Sequence, residues 1–545
     1  MPHRQRYLLE LDLTQPLVEP SPDDPLDRLL SRGRRQLRPT LRALHRAGPD
    51  PRVVGLIAKV GGSLPWAMAE ELRRGVASFA ASRKPTLAWA ETFQAGAVGM
   101  ASYALASAFD QIWLQPGGEV GLTGIAAETT FLRGALDKLG IVPELEQRRE
   151  YKNAADRIMR TGFTEAHRES LTRLTESMFD DTVAAMAGGR SLAGERIREL
   201  IDTGPRTAAE ALAVGLVDRL GYRDEVYAAA RQRVGGEADL LFADLWRPAR
   251  RFRLPVRTRG HVALVEARGS IGSGRSRRTP MGRSIGSDSV AAQLRAALHD
   301  DHARALVLYV DSPGGSAVAS DVIWREVVRV RDAGKPVIVS MGSVAGSGGY
   351  YIACPADVIV ALPTTITGSI GVFGGKFVVA DLLERLGLTT GAVEHGAHAR
   401  MYSPRRTFTD SERERLAASI DAIYDDFVAK VAAGRGRTVA DIEPVARGRV
   451  WSGRDAVDRG LVDEIGGLRD AVRIARARAG LRDDAPVRPA LHVRPLARLG
   501  KAKNSEDPRA IAGSTAGALV DLAQLTRGLG IPQGTELLMP TVVIR

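Results

Sequence analysis

The 545-residue sequence predicts an α/β protein built from two tandem copies of one unit, each a parallel sheet covered by helices. Three observations carry this. Short apolar runs alternate with helix-periodic segments, the order that gives parallel strands with right-handed crossovers. The segment from Lys84 repeats the plan of the segment from Lys335: Lys-Pro, apolar run, small-residue turn, apolar stretch ending near an Asp, second apolar run, Gly-x-x-Gly. Finally, Tyr103 and Tyr350, Asp110 and Asp357, Gly121 and Gly368, and Gly140 and Gly387 are each separated by 247 positions. The copies are expected at residues 1–238 and 261–480, with a linker at 239–260 and a C-terminal extension at 481–545 to which no role is assigned.

Taken in order, Tyr7 to Leu13 and Val53 to Val60 read as strands, and Ala67 to Ser82 has helical periodicity. Thr130 to Gly140 reads as a helix, Val142 to Glu146 as extended, and Glu165 to Met186 as a long helix. Ala208 to Gly215 and Leu216 to Leu220 close the first copy, as Gly453 to Gly460 and the run LVDEIGG close the second. Asp239 to Gly260, rich in Arg and Pro and containing Trp246, reads as a linker that could pack against a partner. The second copy opens with a strand at His261 to Glu266. Gly269 to Asp288, dense in Gly, Ser and Arg, reads as a mobile loop whose arginines could hold an anion. The strand Ala305 to Val310 then runs into Asp311, Ser312, Pro313, Gly314 and Gly315; strand ends are where parallel sheets bind ligands, and a Pro-Gly-Gly turn can bring backbone donors to a peptide.

Composition bounds the chemistry. With 44% hydrophobic and 26% charged residues the chain can bury two cores. Its single cysteine, Cys354, sits in an apolar segment, reads as packing and permits no intrachain disulfide. Nine histidines without HExxH or CxxC spacing give metal chemistry little support, and no cofactor is expected. The net charge of +12 with only 5% aromatic residues favours anionic lipid, or plain compositional bias, over nucleic acid. The apolar run Tyr7 to Leu13 is broken by Glu10 and Asp12, and nowhere is there an unbroken apolar run of about 18 residues. A cytoplasmic or peripherally membrane-associated protein is therefore expected.

The second glycine-rich segment holds the first candidate nucleophile. Val337 to Met341 reads as a buried strand, and Ser347 follows it among Gly342, Gly346, Gly348 and Gly349, where a sharp strand-to-helix turn would expose a hydroxyl and leave backbone N–H groups facing an oxyanion. After the strand Val358 to Leu362, Ser369 again sits between glycines, Gly368 and Gly371. In the repeat register Ser347 falls opposite Met100 and Ser369 opposite Leu122, so the first copy has no such hydroxyl. A base must accompany a serine. His302, His395 and His398 fall in no triad-like pattern, whereas a buried lysine can stay neutral and take the proton. Lys152, in REYKNAADRIMR, faces Ala399 in the same register. One copy thus has the serine without the lysine and the other the lysine without the serine.

These residues resemble the signal peptide peptidase A (protease IV) family in its long duplicated form. The resemblance runs from about Val53 to Val472 and rests on DSPGG at Asp311 to Gly315, the segment Gly342 to Tyr351, TGSIG at Thr367 to Gly371, and Tyr151-Lys152. It implies a ClpP/crotonase-like fold in each copy, Ser347 as nucleophile, Lys152 as general base, Ser369 orienting the lysine and the Gly348 N–H in an oxyanion hole. It also implies bowl-shaped homotetramers that cleave remnant signal peptides and other hydrophobic peptides. Unlike the best-known long members, this sequence shows no N-terminal spanning helix, which points to peripheral attachment. Three other classes stay open: an acyl-CoA enzyme of the crotonase type, a processive ClpP-like protease, which would need a His and an Asp, and a catalytically inactive membrane-associated scaffold.

Overall fold

The computed structural model describes residues 5–19, 33–94, 97–248, 260–279, 282–491, 534–538 and 543–544. It falls into two compact units: one comprises residues 1–127, 175–257 and 544–545, the other 128–174 and 258–543. Expected calls on the intervening stretches, including most of the C-terminal extension, lie outside the described residues.

In the first unit the strands of the main sheet are β1 (Tyr7–Asp12), β2 (Val53–Val60), β3 (Thr86–Ala90), β4 (Gln111–Leu114), β6 (Arg219–Leu220) and β7 (Asp239–Phe242); β5 (Val142–Arg148) belongs to the second unit. They form one sheet in the order β7-β1-β2-β3-β4-β6, with every pairing parallel. Parallel strands covered on both faces must be apolar on both faces, and Thr86–Ala90 is buried at all of its positions. One face packs on the helices Trp66–Ala80 and Ala97–Ala106, the other on Arg223–Arg233. The first part of the expected linker is thus a strand of this sheet. Trp246, from the same segment, is 4% exposed and packs into the unit's own core.

The second unit begins with β5 and continues with β8 (His261–Arg268), β9 (Ser270–Gly272), β10 (Arg277–Thr279), β11 (Gly282–Gly286), β12 (Ala303–Ser312), β13 (Gly314–Ser316), β14 (Val337–Gly346) and β15 (Val358–Ala361). Then come β16 (Ile366–Gly368), β17 (Val372–Val378), β18 (Val450–Ser452), β19 (Glu464–Ile465), β20 (Val487–Pro489) and β21 (Gly534–Leu538). The main sheet contains the run β20-β8-β12-β14-β15-β19, which is the strand order of the first unit, with β16 and β18 added beside β14. Helices Ser287–His299, Ala317–Asp332 and Asp410–Gly434 cover one face and Leu468–Arg478 the other.

The duplication extends to individual hydrogen bonds. Asp110 Oδ2 accepts the N–H of Thr86 at 2.9 Å, and Asp357 Oδ2 that of Val337 at 2.7 Å. The buried Tyr103 hydroxyl donates to the Leu216 carbonyl at 2.6 Å and that of Tyr350 to Leu461 at 2.8 Å. Asp218 takes the N–H of Ile112 and pairs with Arg190; Asp463 takes that of Ile359 and pairs with Arg435. Each pair of copies satisfies the same buried backbone groups, so the sequence offset reflects a shared scaffold.

Two expectations are corrected. Gly269–Asp288 is not a free loop: β9 and β11 are parallel neighbours, β10 and β11 form an antiparallel hairpin, and β9 also meets β13. Alternation of Gly and Ser with Arg hides strand character, because close strand approach here needs glycine; a Cβ on Gly269 would stand 2.0 Å from the Arg283 carbonyl oxygen. Second, the segment Glu128–Leu174, assigned by sequence to the N-terminal repeat, clusters with the second unit. The physical cause is β5, which pairs antiparallel with β17 along its whole length, from Val142 opposite Val378 to Arg148 opposite Val372. Among the described residues no helix is long and apolar enough to cross a membrane.

Candidate active site

Two parallel strands set the serines side by side. β14 and β16 pair with Gly346 opposite Gly368, so Ser347 and Ser369 are the next residues on adjacent chains. Both leave the sheet in the left-handed region, with φ of +54° and +50°, a conformation costly for a non-glycine residue and concentrated at functional turns. The Ser347 N–H donates to the Gly368 carbonyl at 2.8 Å, and the Ser369 N–H to that of Arg449 at 2.7 Å, which hold the two turns in place. Ser347 follows β14 and caps the helix Gly348–Ala353. As the first helical residue, Gly348 has an N–H with no intrahelical acceptor. No larger residue fits there: a Cβ would stand 2.7 Å from Ser320 Oγ and 3.2 Å from Gly314 Cα.

Lys152 arrives from β5, four residues after its end. Its side chain is wholly buried, and Nζ lies 2.7 Å from Ser347 Oγ, 2.9 Å from the Ser369 carbonyl oxygen and 3.0 Å from Ser369 Oγ. Burial pushes its pKa well below the ordinary lysine value, and no carboxylate opposes the shift. A neutral amine has two N–H donors and one lone pair. The three contacts suit that inventory: donation to both oxygens of Ser369 leaves a neutral amine its lone pair to take the Ser347 proton. The arrangement can therefore deprotonate Ser347 as it attacks an electrophile.

The surroundings of the lysine were not legible beforehand. A Cβ on Gly371 would stand 3.1 Å from Lys152 Cδ, and one on Gly448 2.5 Å from its backbone nitrogen. These glycines, which lie beside each other, let the chain carrying the lysine close on the serines. The neighbouring loop ties in the same way: the Arg447 carbonyl accepts the Tyr151 N–H at 3.2 Å and the Gly448 N–H donates to Ile370 at 2.7 Å. Arg447 pairs with Glu150 at 2.7 Å and Arg449 with Glu169 at 2.7 Å. A lone glycine in an arginine-rich stretch carries no signal in a single sequence.

Of the Asp311–Gly315 segment, the two glycines approach the serine turn, since Gly314 Cα and Gly315 N both lie 3.2 Å from where a Gly348 Cβ would be. Asp311 and Ser312 shape the turn: Asp311 Oδ1 accepts the Val344 N–H at 3.1 Å and Ser312 Oγ that of Gly314 at 3.1 Å. Pro313 joins β12 to β13. His302, His395 and His398 are exposed, and among the described residues no histidine hydrogen-bonds to Ser347. Cys354 is buried, its thiol pushed up to about 12 by desolvation. In the first unit, Met100 and Leu122, the counterparts of the two serines, are buried core residues; Ala399, the counterpart of Lys152, is exposed.

Comparison with known proteins gives one consistent result. The profile described as Peptidase family S49 matches residues 78–236 and 329–482. The chain is 31% identical over 443 residues to the chloroplastic serine protease SPPA of Arabidopsis thaliana, an alignment covering 80% of this chain and 64% of that protein. It is 33% identical over 453 residues to Protease 4 of Salmonella typhi, covering 81% and 71%. Against Protease 4 of Haemophilus influenzae it is 31% identical over 468 residues, covering 82% and 73%.

Proposed function

Because this chain belongs to peptidase family S49, we propose that it is a serine endopeptidase that cleaves remnant signal peptides and other hydrophobic peptides through a Ser347–Lys152 dyad. The observation that carries the reading is the 2.7 Å contact between Lys152 Nζ and Ser347 Oγ in a buried site where desolvation disfavours the charged amine. Ser347 Oγ attacks the peptide carbonyl and its proton passes to Nζ; the Gly348 N–H stabilises the oxyanion. The tetrahedral adduct collapses, the lysine returns the proton to the departing amine, and an acyl-enzyme remains. Water, deprotonated by the same lysine, then releases the acid. Ser369 holds the amine through two contacts and leaves its lone pair aimed at Ser347. Gly314 and Gly315 offer backbone groups to an extended substrate, which leaves side-chain preference to apolar surroundings.

Assembly as a homotetramer and peripheral contact with anionic lipid belong to the same proposal and are supported by family membership and by the positive charge of +12. The test is hydrolysis of a fluorogenic signal-type peptide by the purified chain, with Ser347→Ala as control. Cleavage lost in the variant supports the dyad; equal rates in both refute it.

A further inference from the structure

Two turns have to be held against each other for the dyad to form, one ending in Ser369 and one carrying Lys152. Both lead to a single residue. β18 lies antiparallel to β16, with Val450 opposite Gly368 and Trp451 opposite Thr367. Arg449, immediately before β18, accepts the Ser369 N–H on its carbonyl at 2.7 Å. The approach is close: a Cβ on Gly368 would stand 3.0 Å from that carbonyl oxygen and 3.0 Å from Trp451 Cδ1.

The side chain of Arg449 meets the other turn. Its guanidinium lies 4.8 Å from the centre of the Tyr151 ring and 4.5 Å from the nearer part of the clamp on its own strand, the Trp451 ring. Its Nη1 pairs with Glu169 Oε1 at 2.7 Å, and the Tyr151 hydroxyl donates to Oε2 of the same carboxylate at 2.7 Å. Tyr151 is the chain neighbour of Lys152, so whatever fixes its ring fixes the start of the lysine turn. Trp451 is itself held by its indole N–H on the Val445 carbonyl at 2.8 Å. A planar cation that stacks on two rings and pairs at its edge with a carboxylate makes contacts an ammonium does not reproduce. The other charged groups about the clamp have partners of their own: Glu150 pairs with Arg447 at 2.7 Å, and Arg173 and Arg459 share Asp455 at 2.6 and 3.4 Å.

We propose that Arg449 is a positioning residue for the dyad: its backbone sets the Ser369 turn, and its side chain, through Tyr151 and Glu169, sets the segment that delivers Lys152. The proposal rests on the peptidase reading and adds to it a residue that acts only through its neighbours. Two of the three contacts of Lys152 Nζ are to Ser369, so the amine stays in place only while the two turns keep their spacing. Loosening the guanidinium lets them part and admits water to the amine.

The experiment compares the full chain with Arg449→Gln and Arg459→Gln, reading kcat, KM and the pH profile on a signal-type peptide. Arg459 serves as the control because it stacks on the same Trp451 ring, at 3.7 Å, but takes Asp455 as its ion partner. Arg449→Gln is expected to lower kcat about tenfold with KM within about twofold of the wild type. Its rising pH limb should move to higher pH, since water around Nζ favours the charged amine, whereas Arg459→Gln should leave the limb in place. Should Arg449→Gln fail to fold, Glu169→Gln and Tyr151→Phe decide, each expected to lower kcat about threefold and to move the limb the same way. A limb that stays at the wild-type position in the folded Arg449 or Glu169 variant, or that moves equally in Arg459→Gln, overturns the proposal. A wild-type chain that hydrolyses no peptide and whose Ser347 resists a serine-directed phosphonate sinks the peptidase reading instead. The clamp is then read from Tm against pH: the climb that reports neutral Lys152 should begin at higher pH in Arg449→Gln, and an unchanged onset overturns it.

Discussion

Replacing Gly448 by alanine tests how closely the lysine must be held. The added Cβ would stand 2.5 Å from the backbone nitrogen of Lys152 and 2.7 Å from its Cα, where ordinary contact begins near 3.4 Å. Relief requires the lysine backbone to retreat by about 0.9 Å, and a shift of that order carried to the end of the side chain would lengthen the 2.7 Å contact with Ser347 to about 3.6 Å, beyond hydrogen-bond range. A misplacement of about 1 Å in a reacting group typically costs about a hundredfold in rate. The φ of +84° at Gly448 adds backbone strain of its own. Gly387→Ala controls for that strain, since its φ is +74° and nothing lies within 4 Å of its added Cβ. We expect both variants to lose about 1–2 kcal/mol of stability by thermal unfolding, while only Gly448→Ala loses about a hundredfold in kcat against a signal-type peptide. If the two variants have kcat values within about threefold of each other, the lysine is not positioned through this contact.

The remaining predictions concern the dyad and the scaffold. Lys152→Ala should abolish hydrolysis while Ser347 remains, and Ser369→Ala should reduce kcat about tenfold, because the Ser369 carbonyl still holds Nζ. Activity should rise with pH on a single limb that reports deprotonation of Lys152, at a pH below the free-lysine value. The folded state leaves this lysine neutral where the unfolded chain protonates it, so stability should climb with pH through the window from its depressed pKa to the ordinary value. Lys152→Met should be flatter across that window and more stable at its acid end, as seen in Tm measured against pH. Tyr103→Phe and Tyr350→Phe remove corresponding hydrogen bonds in the two units and should each cost about 1 kcal/mol in denaturant unfolding; a cost confined to one of them would break the structural equivalence.

How far the sequence reveals this arrangement depends on what each residue does. The paired tyrosines and aspartates were legible because a duplicated scaffold must satisfy the same buried backbone groups twice, which leaves a fixed spacing. Ser347 was visible because a left-handed turn after a strand demands small neighbours, and Lys152 because its counterpart is absent from the other copy. Gly448 was not visible: its constraint comes from Lys152, far away along the chain, and nothing local records it. The strands at Ser270–Gly272 and Gly282–Gly286 were read as a loop because strand pairing at glycine depends on the partner's closeness rather than on side-chain alternation. Lys152 illustrates a related point: chain order puts it in the first copy, whereas β5 finds its hydrogen-bond partner in β17.

That pairing governs when Lys152 can first reach Ser347 during synthesis. Lys152 and Ser347 are 195 residues apart, and the strand that brings the lysine to the serine waits for Val372–Val378 to emerge from the ribosome. The loop that seats the lysine, around Gly448, comes later still. Closing so long a loop has an entropic cost that only the completed sheet offsets. On the proposed dyad, a nascent chain that has not yet reached Gly448 carries the hydroxyl before the segment that seats its base.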